Sequence, residues 1–361
     1  MTTTEAVATQ QHTNANLRLI HRVKMGGWLI FLICLATVPI WSSLYILEVM
    51  TLILITTMFL YALDLVIGRT GLFSVAHGAL YGIGAYTTGV LGVSYHWSFW
   101  ATVPVAMAIT AVLGFVIGVL TLHLSGHYFV IACLGFAIIM SQVLQDWTSV
   151  TNGTLGLSPV PKPSIFGLAA IKGPSAFYWL ALSLTILVAL VVWALMRSTT
   201  GMRLQAIREN VPLASALGID TYWTRVVSMT ISSAIAGFAG CFQAAFLVYI
   251  DPSVGGYLVG FEAGMALIVG GQASIVGPFI GALFLIGMPQ VFGFTQSLDL
   301  VLFGSALIVV IIFAVDGIWG RLGAAARNAL AWFGVTESRH PRAFRPAAPD
   351  AVSAQTRDGG L

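Results

Sequence analysis

The 361 residues are 58% hydrophobic and only 8% charged, with 16 Lys+Arg against 13 Asp+Glu. Mean hydropathy is +0.92, whereas an ordinary soluble domain carries charge on about a quarter of its residues. That excludes a soluble globular class. Several apolar runs reach the roughly 20 residues a membrane helix needs, and the short alternating segments of a barrel are absent. An all-α, polytopic transmembrane bundle follows.

Residues 1–26 are polar and place Arg18, Arg22 and Lys24 ahead of an apolar run. That run, Gly27 to Leu47, is too long for a signal peptide and reads as a retained first span. The predicted spans are 27–47, 49–67, 72–93, 101–121, 129–147, 177–196, 226–248, 259–272, 277–292 and 299–315, about ten in all. Broken or re-entrant glycine-rich segments are expected among them. With the N-terminus inside, Arg69, Arg197, Arg203, Arg208, Arg225 and the C-terminal arginines also fall inside. Only Lys162 and Lys172 of the 16 basic residues fall outside, and positive charge favours the cytoplasmic face. The expected organisation is a cytoplasmic segment 1–26, a membrane domain 27–320, and a disordered cytoplasmic tail 321–361.

The third span, GLFSVAHGALYGIGAYTTGVLG, embeds Ser74 and His77 among glycines. Glycines permit close backbone approach between membrane helices, and they also occur where a helix breaks beside a polar path. Packing accounts for most of them. His77 is equally a path residue or a hydrogen-bonded packing histidine. His123 and His127 stand at i, i+4, but no further ligand follows at a matching spacing, so no metal site is expected. Cys34, Cys133 and Cys241 lie within spans and read as small core residues. Residues 148–176 form the longest outer loop, rich in Gly and Pro, which is either a docking surface or a connector.

The polar island RSTTGMRLQAIRENVPLASALGIDTYWTR, residues 197–225, cannot cross a bilayer, yet it is not loop-like. Leu204, Ile207 and Val211 recur at helical spacing, with Arg203, Arg208 and Glu209 on other faces. Asn210 is placed to cap a second short helix with Pro212 in its first turn, and Gly218 to end it. Leu213, Ala216 and Leu217 make a small apolar face. A structured, amphipathic surface element of this kind suits docking of a soluble partner. Further on, GGQASIVGPFIGA (270–282) breaks an apolar run at what should be an inner turn. Among the acidic residues near spans, Asp64 and Glu262 stand apart from ordinary span-end positions.

GRTGLFSVAHGALYGIGAY, LHLSGHYFVIACLGFAII followed by TNGTLGLSPVPKP, the island, and the pair SSAIAGFAGCFQA and LIVGGQASIVGPFIGA occur in this order. Together, over roughly residues 50–315, they resemble the LivM-type permease subunit of branched-chain amino acid ABC importers. The resemblance implies a second, LivH-type permease, two cytoplasmic ABC ATPases and an extracytoplasmic solute-binding protein, in a bacterial or archaeal plasma (inner) membrane. It assigns ATPase coupling to Arg203, Ile207, Arg208, Glu209, Leu213, Leu217 and Gly218. For the translocation path the expected residues are Ser74, His77, Tyr81, Gly84, Tyr86, Gly270, Gly271, Ser274 and Gly277. Ser125-Gly126-His127-Tyr128 and Asn152-Gly153 depart from the family's common Arg-Gly-Asp-Tyr and Gly-Gly, which leaves the solute open between amino acids and amides such as urea.

No Gly-Lys dipeptide exists, so the chain holds no phosphate loop of the Walker type. No catalytic motif, cofactor or nucleic-acid partner is expected, and any ATPase must be a separate chain. Two other classes stay open. An ion-coupled carrier would use Asp64 or Glu262 for a proton, and a passive channel would need no energy source.

Overall fold

A computed structural model describes residues 33–124, 126–165, 169–170, 173–292, 304 and 317–321, all within one compact unit, Ile33–Gly323. The expected N-terminal segment, the tail from 322 and almost all of the span at 299–315 lie outside the described residues.

The described chain is mainly helical, with a short hairpin pairing Ser164–Ile165 with Ala169–Ala170 and an isolated bridge between Leu157 and Ile250. Helix α1 covers residues 33–41. Then come α2 (Leu44–Leu63), a π-helical turn (Asp64–Gly68), α3 (Ala76–Val93), α4 (Phe99–Thr121), α5 (His127–Asp146) and the single turn α6 (Thr148–Thr151). After the outer segment follow α7 (Pro174–Arg197), α8 (Thr199–Glu209), α9 (Val211–Ala216), α10 (Thr221–Leu247), α11 (Tyr257–Gly270) and α12 (Gly277–Phe292).

Among the described residues five helices are long and apolar enough to cross a membrane: Leu44–Gly68, α4, α5, α7 and α10. Ten spans are not confirmed among the described residues, which leave out the start of the first expected span and almost all of the tenth. Helix α3 has 18 residues but is diluted by five glycines, two tyrosines and His77. The 14 residues of α11 rise only about 21 Å, short of the roughly 30 Å hydrocarbon core. The boundary expected near residue 48 also moves. Ser43 caps α2, its hydroxyl accepting from the Ile46 N–H at 3.4 Å, so residues 44–47 open the second helix instead of closing the first. Hydropathy runs unbroken through this point, so only the cap marks it.

Helices α2 and α10 are the centre of the bundle, with 67% and 61% of their apolar windows buried, against 33%, 22% and 28% for α4, α5 and α7. The outer helices turn large apolar side chains outward: Val112 and Leu120 on α4, Ile131 and Ile139 on α5, Leu187 and Leu190 on α7. A water-soluble protein seldom exposes apolar surface on this scale; lipid tails are its natural solvent. Inside, hydroxyls are satisfied locally. Thr51, Thr57, Thr110 and Thr121 each donate to the carbonyl four residues back, at 2.6–2.9 Å. Such bonds let polar residues sit at helix contacts without orphaned groups.

The glycines of α3 are contact points. A Cβ at Gly84 would run into the backbone of Gly237 on α10, and one at Gly78 into the backbone of Gly260 on α11. Two backbones meet where no side chain intervenes. Of the cysteines, Cys133 and Cys241 are buried as expected, but Cys34 is exposed on α1.

Candidate coupling and translocation site

The island folds as a helical elbow, and each bend has a local cause. Ser198 caps α8, accepting from the Gly201 N–H at 3.5 Å. Gly201 lies against the backbone of Leu195 and Met196, which lets α8 fold back on the end of α7. Asn210 Oδ1 accepts from the Leu213 N–H at 3.0 Å and caps α9, with Pro212 in its first turn. Gly218, at φ +81°, ends the element in the left-handed region. Asp220 then caps α10 through the Trp223 N–H at 3.0 Å.

The seven residues assigned to coupling divide by direction. Leu204, Ile207 and Ala214 are buried and anchor the elbow on the bundle, so Ile207 sits on the inner face and presents no outward contact. Arg208 is exposed, but its guanidinium reaches back to the bundle, Nη1 donating to the carbonyl of Gly68. Arg203, Glu209 and Gly218 are exposed. Leu213 is 57% exposed, Leu217 72% and Met202 60%, so these three apolar side chains of the elbow are open to an outside partner. Val211, grouped by helical spacing with Leu204 and Ile207, is instead the first residue of α9 and exposed.

The nine path residues form two groups. Ser74, His77, Tyr81, Gly84 and Tyr86 are buried on or beside α3. The Tyr81 ring packs on Phe59 with centroids 4.5 Å apart. Gly270, Gly271, Ser274 and Gly277 belong to the break between α11 and α12. Of all nine, Ser274 faces a cavity of about 260 Å³. Tyr61, Arg69, Trp193 and Arg197 also line this cavity, and the Arg197 guanidinium lies 4.0 Å over the Trp193 ring.

His77 is a bridge between α3 and α10. Ser232 commits its proton to the Met229 carbonyl at 2.9 Å. The His77 Nε2–H therefore donates to Ser232 Oγ at 2.8 Å, and Nδ1 accepts from the Ser74 hydroxyl at 2.9 Å. Replacement of His77 by Leu removes both bonds, leaving Ser232 its bond to the Met229 carbonyl and Ser74 only the Cys133 Sγ at 3.8 Å, at about 1 kcal/mol for each bond lost. The variant is expected to melt earlier in detergent, while His77→Gln recovers part of the loss. Unchanged melting with altered uptake would instead mark His77 as a path residue. The exposed pair His123 and His127 gathers no further ligand, and no metal-binding cluster occurs among the described residues.

The family model for the branched-chain amino acid transport system permease component matches residues 45–315. The chain belongs to this family. It is 28% identical over 319 residues to the high-affinity branched-chain amino acid transport system permease protein LivM of Escherichia coli, covering 82% of this chain and 75% of the relative. It is 30% identical over 281 residues to the corresponding LivH protein of Salmonella typhimurium, covering 71% of this chain and 88% of that one. A further relative, at 26% identity over 290 residues, is the autoinducer 2 import system permease protein LsrC of Salmonella paratyphi A, with 74% and 78% covered. No solved structure matches the chain. The LivM-type permease is thus a multi-pass membrane protein, and its family membership agrees with the outward apolar faces of α4, α5 and α7.

Sequence reasoning missed Tyr61, Arg69 and Ser232. Nothing local flags Tyr61 or Ser232, because their partners lie 214 and 155 residues away. Arg69 had a signal, a cation five residues after Asp64 at the end of an apolar run.

Proposed function

We propose that this LivM-type permease is a membrane subunit of an ATP-driven importer for branched-chain amino acids or a related small solute. It works beside a LivH-type permease, with two cytoplasmic ATPases and an external solute-binding protein. The observation that carries this reading is the α8–α9 elbow, which is anchored by Leu204 and Ile207 yet presents Met202, Leu213 and Leu217 outward. Exposed apolar side chains on a capped, polar element suit a soluble partner. Similarity to both LivM and LivH supports pairing of two homologous permeases. Charge placement supports an inner-membrane orientation with both termini cytoplasmic.

Branched-chain amino acids are the leading solute class, because the relatives named LivM and LivH carry it. A relative named for autoinducer 2 import supports a scaffold that serves more than one small solute, and urea and amides belong to the same range. The nine path residues keep their assignment, with the 271–276 turn as the gating element. An ion-coupled carrier would leave the elbow without a purpose. The test is purification from native membranes in a mild detergent, with partners identified by mass spectrometry. A second apolar permease and Walker-motif ATPases are expected; recovery of the chain alone, with transport intact, would contradict the proposal.

A further inference from the structure

Asp64 is 1% exposed, and an ionised carboxylate so deeply placed persists only when paired and hydrogen-bonded. Its Oδ1 accepts from the Ala273 N–H at 2.7 Å. Its Oδ2 lies 3.4 Å from Arg69 Nε. One turn earlier, the Tyr61 hydroxyl donates to the Ile275 carbonyl at 2.5 Å. The end of α2 thus grips two alternate residues of the α11–α12 turn. That turn has no regular backbone ladder of its own: Gly271 lies at φ +114° and Ala273 at φ +58°. A non-glycine residue in the left-handed region is uncommon and needs surrounding contacts to hold it. The carboxylate supplies one.

Asp64 opens the π-helical turn Asp64–Gly68. Such turns are rare, occur mostly as single bulges, and gather at functional positions. Here the widened turn exposes carbonyls sideways, and other elements use them. Arg208 of α8 donates to the Gly68 carbonyl. Ser228 of α10 donates to the Leu65 carbonyl at 2.9 Å. Five residues therefore bond the docking elbow, the central helix α10 and the α11–α12 turn at once. Gly68 leaves the room: a Cβ there would strike the Asp64 carboxylate.

We propose that Asp64 is a positioning residue that clamps the α11–α12 turn to the π-helical end of α2, so that displacement of α8 reaches that turn through the Gly68–Asp64 segment. This rests on the importer reading and names how motion at the elbow enters the membrane domain. The pull on the turn is a main-chain hydrogen bond from Ala273 to a buried carboxyl oxygen. It requires no proton to move, so Asp64 acts as a tether and not as a carrier.

The test uses the complete transporter, reconstituted in liposomes with its binding protein and radiolabelled leucine, reading import and ATP hydrolysis in the same vesicles. Asp64→Ala removes the acceptor and is expected to lower import per ATP by about tenfold or more, while ATP hydrolysis continues. Asp64→Asn keeps an oxygen for Ala273 and should stay within about threefold of wild type. Tyr61→Phe keeps the ring, removes one tether, and is expected to lose about threefold in import per ATP. It decides the matter if Asp64→Ala fails to assemble. Wild-type import per ATP in Asp64→Ala and Tyr61→Phe would overturn the clamp, as would import and hydrolysis falling in parallel. Absence of ATP-driven import by the wild type, with every solute class offered, would overturn the importer reading itself.

Discussion

Leu213→Asp and Leu217→Asp are each expected to abolish most solute uptake while leaving the chain folded and inserted. Both side chains are more than half exposed, so a carboxylate there meets water and costs the isolated subunit little. In the proposed assembly the same position would lie against an ATPase, and the charge would have to be desolvated without a partner. Central apolar contacts of an interface are commonly worth about 2 kcal/mol or more, roughly thirtyfold in affinity. Uptake should fall by at least about tenfold, and the ATPases should be lost on purification. Ala214→Asp would not make the same point, since Ala214 is the buried residue of α9 and its replacement damages the elbow itself. Wild-type uptake in both leucine variants would remove the elbow from the docking surface.

The second large effect concerns the bundle. Gly84→Val forces a branched side chain into the backbone of Gly237, and neither α3 nor α10 can yield without disturbing the centre of the fold. Overpacking a well-packed contact costs about 1–3 kcal/mol, and the upper end applies where the obstacle is main chain. Thermal stability in detergent should drop by at least about 5 °C, with loss of co-purifying subunits. Gly135 on α5 is the control. A Cβ there meets nothing within 4 Å, so Gly135→Ala should be near neutral or slightly stabilising. Equal stability of Gly84→Val and wild type would show that α3 and α10 are not held this closely.

What the sequence disclosed was what local chemistry decides. Asn210, Pro212 and Gly218 marked α9 because caps and left-handed ends are properties of a few neighbouring residues. The class of protein was legible for a similar reason: low charge and long apolar runs need no tertiary knowledge. The break at Gly270–Gly277 was also visible, since glycines, Ser274 and a Gly-Pro pair disfavour continuous helix. The start of α2 at Ser43 was not, because hydropathy cannot see a hydroxyl accepting one N–H within an apolar stretch. Inward and outward faces of the elbow were only half legible. Helical spacing grouped Leu204 with Ile207, but only packing against the bundle shows that Ile207 is buried and that the Arg208 guanidinium reaches Gly68. Asp64 was flagged as unusual, and its role was hidden because its partner Ala273 is 209 residues away.

The most direct test of the central claim is uptake of radiolabelled leucine and related small solutes into energised vesicles containing the chain and its native partners, with ATP and the ion gradient controlled separately. Uptake that requires ATP and the binding protein, and survives a protonophore, is the predicted result. Uptake that survives ATP depletion and collapses with the protonophore would contradict it and return Asp64 and Glu262 to the role of proton carriers.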